Sequence, residues 1–240
     1  MSKRERVFNV PVSVAGALAT IAAIHIIRNL LPEEWNFTLL LAFAFIPARY
    51  TGDIADIPGG DIAGITSLVT YMLVHADGMH LAVNSLWMLA FGSAIAKRVG
   101  NIRFLAFSVA CGVAGILTHL ALHYGDVLPV VGASAAISGQ MAAALRFLLG
   151  ARRRFSLSPD SITNIPLASV AQTLKNPGML VFMAIWAALN LVFGLGFLSL
   201  GQGDAGIAWE AHIGGFLFGL FGVGLFDRPA RPEGPGQTPG

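Results

Sequence analysis

The chain has 240 residues, of which 55% are hydrophobic and only 12% are charged, about half the charged fraction of an ordinary globular chain. So few charged residues cannot cover the surface of a soluble protein, and the single cysteine excludes an internal disulfide framework and zinc-finger or iron–sulfur sites. The net charge of +2 is too small for a nucleic-acid-binding protein, so we expect no nucleic-acid partner.

Six apolar stretches are long enough to cross a membrane as helices of about 20 residues. In chain order they are Val7–Leu31, Ser67–Ala96, Ile102–His123, Val130–Leu149, Met179–Leu198 and Ala208–Phe226. The sequence therefore predicts an all-α membrane protein, with a six-helix domain over residues 1–227. The Pro- and Gly-rich tail, Arg228–Gly240, is predicted to be disordered.

The connection Pro32–Thr66 between the first two spans is long and not uniformly polar. Its apolar stretch Asn36–Ile46 is too short to cross a membrane, so we expect an interfacial or re-entrant element there.

The distribution of Lys and Arg between the two sides of the six spans predicts their orientation. Of the 15 basic residues, all but Arg28 and Arg49 fall on the side of the two termini. Because cytoplasmic loops carry an excess of positive charge, both termini are predicted to be cytoplasmic and the long first loop extracytoplasmic. We expect the cluster Arg152-Arg153-Arg154 to contact anionic membrane lipids.

Polar residues inside the spans are the functional candidates, since their burial in lipid is costly unless they pair or line a wet cavity. The second, fourth and sixth spans run inward from the outside, and their first turns carry His80 and Asn84, Ser134, and His212 respectively. His80 and Asn84 share a helix face, whereas His75 lies about 140° away from that face. Because these four side chains lie at similar depths in the outer part of their spans, we expect them to line a shared cavity that is open to the outside.

The chemistry of this set fits nucleophilic catalysis. A serine hydroxyl needs a base to take its proton, and His212 is the candidate base for Ser134, with no obvious carboxylate as a third member. His80, Asn84 and the backbone N–H of Ser134 are candidate donors to an oxyanion. Gly132 would permit the close approach of a substrate backbone.

Small and polar residues predict how the spans pack. Gly215 and Gly219 lie one turn apart in the sixth span, and the fourth span offers Ala135 and Gly139 as a matching pair. Contact between these pairs would carry the candidate base towards the serine. Asn190, a polar residue in the apolar fifth span, is predicted to form an interhelical hydrogen bond.

Three motifs occur in order on alternate spans: His75-x4-His80-x3-Asn84, Gly132-x-Ser134 and Ala211-His212-x-Gly214-Gly215. Together they resemble the motifs of the rhomboid intramembrane serine proteases. The resemblance implies cleavage of transmembrane substrates near their extracytoplasmic ends, in a cell membrane that we expect to be the bacterial inner membrane. It implies that Ser134 and His212 form a catalytic dyad. It implies that His80, Asn84 and the Ser134 amide form the oxyanion hole. The supporting residues that it implies are His75, Gly132, Gly215 and Gly219.

The resemblance also implies no metal, no cofactor and a first loop, around Asn36–Tyr50, that lies partly in the outer leaflet. Three positions depart from the family pattern. Thr66-Ser67 replaces a frequent Trp-Arg, Ser138 replaces an aromatic residue that stacks on the catalytic histidine, and Ala96 replaces a glutamate before the basic pair. The second departure leaves open what orients the histidine.

The competing interpretation is a non-catalytic rhomboid-like protein that binds membrane proteins and alters their folding or trafficking. Such proteins usually lose the serine or the histidine, and this chain retains both. A transporter is less favoured, because there is no strong internal repeat and no intramembrane carboxylate pair. The remaining polar residues, His25, His119, His123 and Glu210, are assigned no function, and Glu210 is expected at the rim.

Overall fold

The computed structural model describes residues 9–51, 57–151, 165–194 and 208–227, and most of these residues are helical. Within these ranges the helices are α1 (Val12–Leu30), α2 (Glu33–Phe43), α3 (Gly60–Thr70), α4 (Gly78–Val99), α5 (Asn101–Leu122), α6 (Ser134–Ala151), α7 (Val170–Leu174), α8 (Pro177–Gly194) and α9 (Trp209–Phe226). Helix α4 contains a π-helical turn at Met88–Gly92. The predicted tail and the Arg152-Arg153-Arg154 cluster lie outside the described residues.

Four of these helices, α1, α4, α5 and α9, are long and apolar enough to cross a membrane. They correspond to the first, second, third and sixth predicted spans and indicate an integral, multi-pass membrane protein. Helices α6 and α8 have 18 residues each and occupy the places of the predicted fourth and fifth spans.

The prediction of one continuous span over Ser67–Ala96 is wrong. Helix α3 and a 3-10 turn, Tyr71–Leu73, end before the spanning helix begins at Gly78. The helix begins there because Asp77 has extended backbone geometry and its carboxylate accepts the His80 backbone N–H at 2.8 Å, which is an N-cap. His75 therefore precedes the helix, and the predicted angular relation between it and His80 does not apply.

Arg28 and Arg49, the two basic residues set apart by the charge distribution, bind groups in and next to the first loop. Arg28 Nη1 donates to the backbone oxygen of His75 at 3.0 Å. Arg49 Nη2 donates to the backbone oxygens of Leu41 and Pro58, each at 2.8 Å. Arg28, which also donates from Nε to Asn36 Oδ1 at 3.0 Å, thus ties α1 to α2 and to the segment before α4, while Arg49 binds carbonyls within the first loop.

The loop also pairs with the segment that leads into α6. Phe45 and Val130 exchange two backbone hydrogen bonds, of 3.0 and 2.8 Å. Helix α2, the observed counterpart of the predicted interfacial stretch, has 11 residues, which span about 16 Å and cannot cross a bilayer. This pairing holds the loop beside the start of α6.

Helices α6 and α9 pack closely through small residues, as the sequence predicts, and α5 joins the same close contact. A Cβ on Gly219 would overlap the backbone of Gly139, and a Cβ on Gly215 would overlap the backbone of Ala135. A Cβ on Gly139 would in turn overlap Cys111 of α5. The side chains of α6 are accordingly buried from residue 135 to residue 147, and this close contact fixes the start of α9 relative to the start of α6.

The opposite end of the bundle is joined by a buried ion pair. Arg98 at the end of α4 donates from Nε and Nη2 to the two carboxylate oxygens of Asp227, both at 2.8 Å. Asp227 directly follows α9, so this fork joins the two helix ends.

Candidate active site

Ser134 is the first residue of α6 and follows a backbone turn that only glycine accommodates readily. Gly132 has φ +110°, and its N–H donates to the backbone oxygen of Tyr71 at 2.9 Å. A Cβ on Gly132 would lie 2.6 Å from Nε2 of His80. The first N–H groups of a helix have no partner within it and carry the positive end of its dipole, so Ser134 lies beside donors suited to a developing negative charge.

The structure brings Ser134 and His212 together. His212 lies in the first turns of α9, and its Nε2 is 2.7 Å from Ser134 Oγ. Both side chains are half-buried, which leaves the pair within reach of a ligand. A hydroxyl that donates to an imidazole nitrogen at this distance can transfer its proton as it attacks.

Asn190 of α8 holds the other side of the imidazole. Its Oδ1 lies 2.5 Å from His212 Nδ1, while its Nδ2 donates to the Trp186 backbone oxygen at 2.8 Å. The second bond fixes which end of the amide faces the ring, so Nδ1 donates to Asn190 and Nε2 is left free to accept from Ser134. The interhelical hydrogen bond predicted for Asn190 is confirmed, and it supplies the orientation of His212 that Ser138 cannot.

His80 and Asn84 of α4 lie next to the turn at Gly132 that precedes Ser134. The His80 ring is in contact with Gly132, and Asn84 is buried one turn further along α4, where its Nδ2 donates to the His80 backbone oxygen at 3.0 Å. His75 is fully buried behind them, and its ring centroid lies 5.1 Å from that of His80 in an edge-to-face arrangement. The two candidate donors therefore lie next to Gly132, and His75 packs against one of them.

Glu210 is buried rather than placed at the rim, so that expectation is wrong. It projects from the first turn of α9 towards α5, where its Oε1 lies 2.9 Å from His123 Nε2 and its Oε2 lies 3.5 Å from His119 Nδ1. Sequence reasoning missed this cluster, although two histidines four residues apart at the end of a predicted span were a usable signal.

Comparisons with known proteins agree with the motifs. A family model described as the Rhomboid domain matches residues 63–228, which is more than half of the chain. Rhomboid protease GluP from Bacillus subtilis (strain 168) is 26% identical over 162 residues. The aligned region covers 68% of this chain and 26% of that relative, so the chain matches about a quarter of the relative's length.

Proposed function

Because this chain belongs to the rhomboid family, we propose that it is an intramembrane serine endopeptidase that cleaves transmembrane proteins near their extracytoplasmic ends. The observation that carries the proposal is the 2.7 Å contact between Ser134 Oγ and His212 Nε2. The proposal gains support from Asn190, which occupies the far side of the imidazole as the third member of a nucleophilic triad would. The aligned relative carries the name of a protease.

The proposed reaction is acyl transfer through a covalent serine ester. Ser134 Oγ attacks the substrate carbonyl carbon while its proton passes to His212 Nε2, and the C=O π electrons move onto the carbonyl oxygen. His80, Asn84 and the Ser134 N–H donate to that oxyanion. It collapses, the C–N bond breaks, and the imidazolium gives its proton to the leaving amine. Water, deprotonated by His212, then hydrolyses the ester and regenerates the serine.

Asn190 contributes through His212 and not through contact with the substrate. Its carbonyl oxygen accepts the Nδ1 proton throughout the reaction, so the ring keeps its orientation when Nε2 becomes protonated. An amide oxygen carries only a partial negative charge, so it stabilises the imidazolium less than a carboxylate would.

The proposal includes a six-span topology in which α6 and α8 are the fourth and fifth spans. Both termini are then cytoplasmic, the dyad lies in the outer leaflet of a bacterial inner membrane, and the Arg152-Arg153-Arg154 cluster contacts lipid. Support comes from the basic residues, all but two of the 15 falling on one side. In this arrangement, residues 1–227 form one domain.

The direct test is cleavage of labelled transmembrane segments by protein reconstituted in liposomes. Ser134→Ala should abolish cleavage, because it removes the nucleophile. Ser138→Ala is the matched control, since Ser138 is a buried serine one turn further along α6 and should be dispensable. Mass spectrometry of the products locates the cut bond.

Cleavage by Ser134→Ala at the wild-type rate would contradict the proposal. Stable binding of the segments by the wild type, without cleavage of any of them, would favour a non-catalytic binding protein instead.

A further inference from the structure

A cluster of three potential metal ligands joins the outer ends of α5 and α9. His119 lies in the last turn of α5 and His123 directly follows the helix, and their rings stack with centroids 4.5 Å apart and planes 18° apart. Glu210 reaches them from α9, and one potential ligand atom from each residue lies within 4.8 Å of the other two. One potential ligand atom from each of the three side chains therefore lies in the same small region, and rotation of the stacked rings would be needed to direct both nitrogens at one ion.

The contacts in this cluster leave one buried nitrogen unsatisfied. His119 Nδ1 is buried and, among the described residues, makes no hydrogen bond. Its nearest partner, Glu210 Oε2, is 3.5 Å away, which is too far for a strong hydrogen bond. A cation between the two atoms would satisfy both, since the nitrogen lone pair and the carboxylate are each metal ligands.

His123 is oriented as metal-binding histidines usually are. Its Nδ1 lies 2.8 Å from Asp126 Oδ2, and its Nε2 points to Glu210 Oε1. A carboxylate that accepts one ring N–H directs the other nitrogen towards a metal and raises its basicity. The side chain of His123 is 34% exposed and that of Asp126 is 51% exposed, so an ion and a water ligand can reach the site from solvent.

The ligand types select the kind of ion. Two imidazoles and one carboxylate suit Zn²⁺ and other late divalent transition metals, whereas Mg²⁺ and Ca²⁺ prefer oxygen ligands. Ligand atoms of a tetrahedral zinc site lie about 3.3 Å apart, as bonds of about 2.0–2.2 Å require. Glu210 Oε1 lies 2.9 Å from His123 Nε2 and Oε2 lies 3.5 Å from His119 Nδ1, both close to that value. The three ligand atoms lie within 4.8 Å of one another, so small side-chain rotations would bring them around one ion.

We propose that His119, His123 and Glu210 bind one Zn²⁺ ion, with water as the fourth ligand and Asp126 as the residue that orients His123. The ion would fix the first turn of α9 to the end of α5. Glu210 lies two residues before His212, so the metal site and the dyad share a helix turn but no side chain. The proposal does not rest on proteolysis, and it is tested by binding alone.

The test is zinc affinity of the purified, tag-free, full-length protein in detergent, measured by competition with a chromophoric chelator. The wild type should bind one Zn²⁺ per chain, an excess of Mg²⁺ should not displace it, and zinc should raise the apparent Tm. His123→Ala and Glu210→Gln should each weaken binding at least tenfold, and Asp126→Asn by about 10- to 100-fold. His25→Ala, which removes a histidine of α1 outside the cluster, should leave the affinity unchanged.

X-ray absorption of the zinc-loaded wild type provides a result that does not depend on the folding of any variant. The spectrum should show nitrogen and oxygen ligands about 2.0–2.2 Å from the zinc ion, together with the outer-shell scattering of imidazole rings. The proposal is overturned if the wild type binds no stoichiometric zinc, if the spectrum contains no imidazole, or if His25→Ala weakens binding as much as His123→Ala.

Discussion

The orientation of one imidazole depends on a residue from a third helix. In the proposed mechanism His212 of α9 is the base and Ser134 of α6 is the nucleophile, and Asn190 of α8 holds the other side of the His212 ring. Asn190 is itself held through its amide nitrogen by the Trp186 carbonyl. We therefore treat Asn190 as a positioning residue, whose removal affects the reaction through His212.

Asn190→Ala should lower kcat by about 10- to 100-fold, because a base displaced by about 1 Å transfers protons poorly. KM should change little, since Asn190 does not contact the substrate in the proposed mechanism. Asn190→Asp keeps an acceptor oxygen and should recover much of the rate. The measurement is steady-state cleavage of a fluorescent transmembrane substrate by each variant.

A merely structural role would give a different result. In that case Asn190→Ala would lower the Tm, and the active fraction would keep the wild-type kcat. Equal losses in the Ala and Asp variants would likewise contradict a role through the hydrogen bond to His212.

Depth along the predicted spans brought Ser134 and His212 together correctly, but it did not identify the partners of Asn190 and Glu210. Asn190 was predicted to bond to another helix because an amide in lipid needs a partner, yet nothing in the spacing of α8 identified His212 as that partner. Glu210 was wrongly expected at the rim because its partners could not be identified from the sequence. Its position two residues before His212 turns it to another face of α9, and the histidines at the end of α5 that cover that face are distant in sequence.

At the scale of helices, the contact between α6 and α9 depends on the absence of side chains. A Cβ on Gly219 would overlap backbone atoms of Gly139, which cannot move without moving α6. A Cβ on Gly224, on the same helix, would meet only Leu167 Cδ2 at 4.0 Å. The two glycines thus form a matched pair, one tightly packed and one open.

Gly219→Ala should destabilise the protein by about 1–3 kcal/mol, the usual cost of overpacking. Gly224→Ala should be neutral or slightly stabilising, because alanine is the better helix former. The measurement is thermal unfolding in detergent, with cleavage activity recorded in parallel. Equal Tm values for the two variants would show that α6 and α9 do not pack as described.

Hydropathy locates two of the spanning helices well. Helices α5 and α9 begin and end within one residue of the predicted spans Ile102–His123 and Ala208–Phe226. The second span fails because apolar character continues upstream through Ser67–Val74, while the helix start is decided locally by the Asp77 cap. Hydropathy averaged over about 20 residues cannot detect the single carboxylate that caps a helix.

The whole molecule distributes its side chains as expected for a protein in lipid. Large apolar residues are widely exposed along the described helices, with Ile102 and Leu225 each 84% exposed, while Gln140 and His75 are fully buried. Exposed apolar surface on this scale is stable where the solvent is hydrocarbon. The chain alone does not define the two sides of the membrane, so the orientation derives from the basic residues.

The proposed orientation predicts the accessibility of the two ends of α5. Val127→Cys, just beyond its outer end and 65% exposed, should react with a membrane-impermeant maleimide in intact cells. Ile102→Cys, at its other end and 84% exposed, should react only after permeabilisation. The native Cys111 is buried and serves as an internal background. The reverse labelling pattern would contradict cytoplasmic termini.

The central claim is that Ser134 is a nucleophile activated by His212, and covalent labelling tests it most directly. The wild type should react with a serine-directed phosphonate, and peptide mass spectrometry should place the adduct on Ser134. His212→Ala should prevent the reaction, and Ser138→Ala should preserve it. An adduct on another serine, or undiminished labelling of Ser134 in His212→Ala, would contradict the dyad.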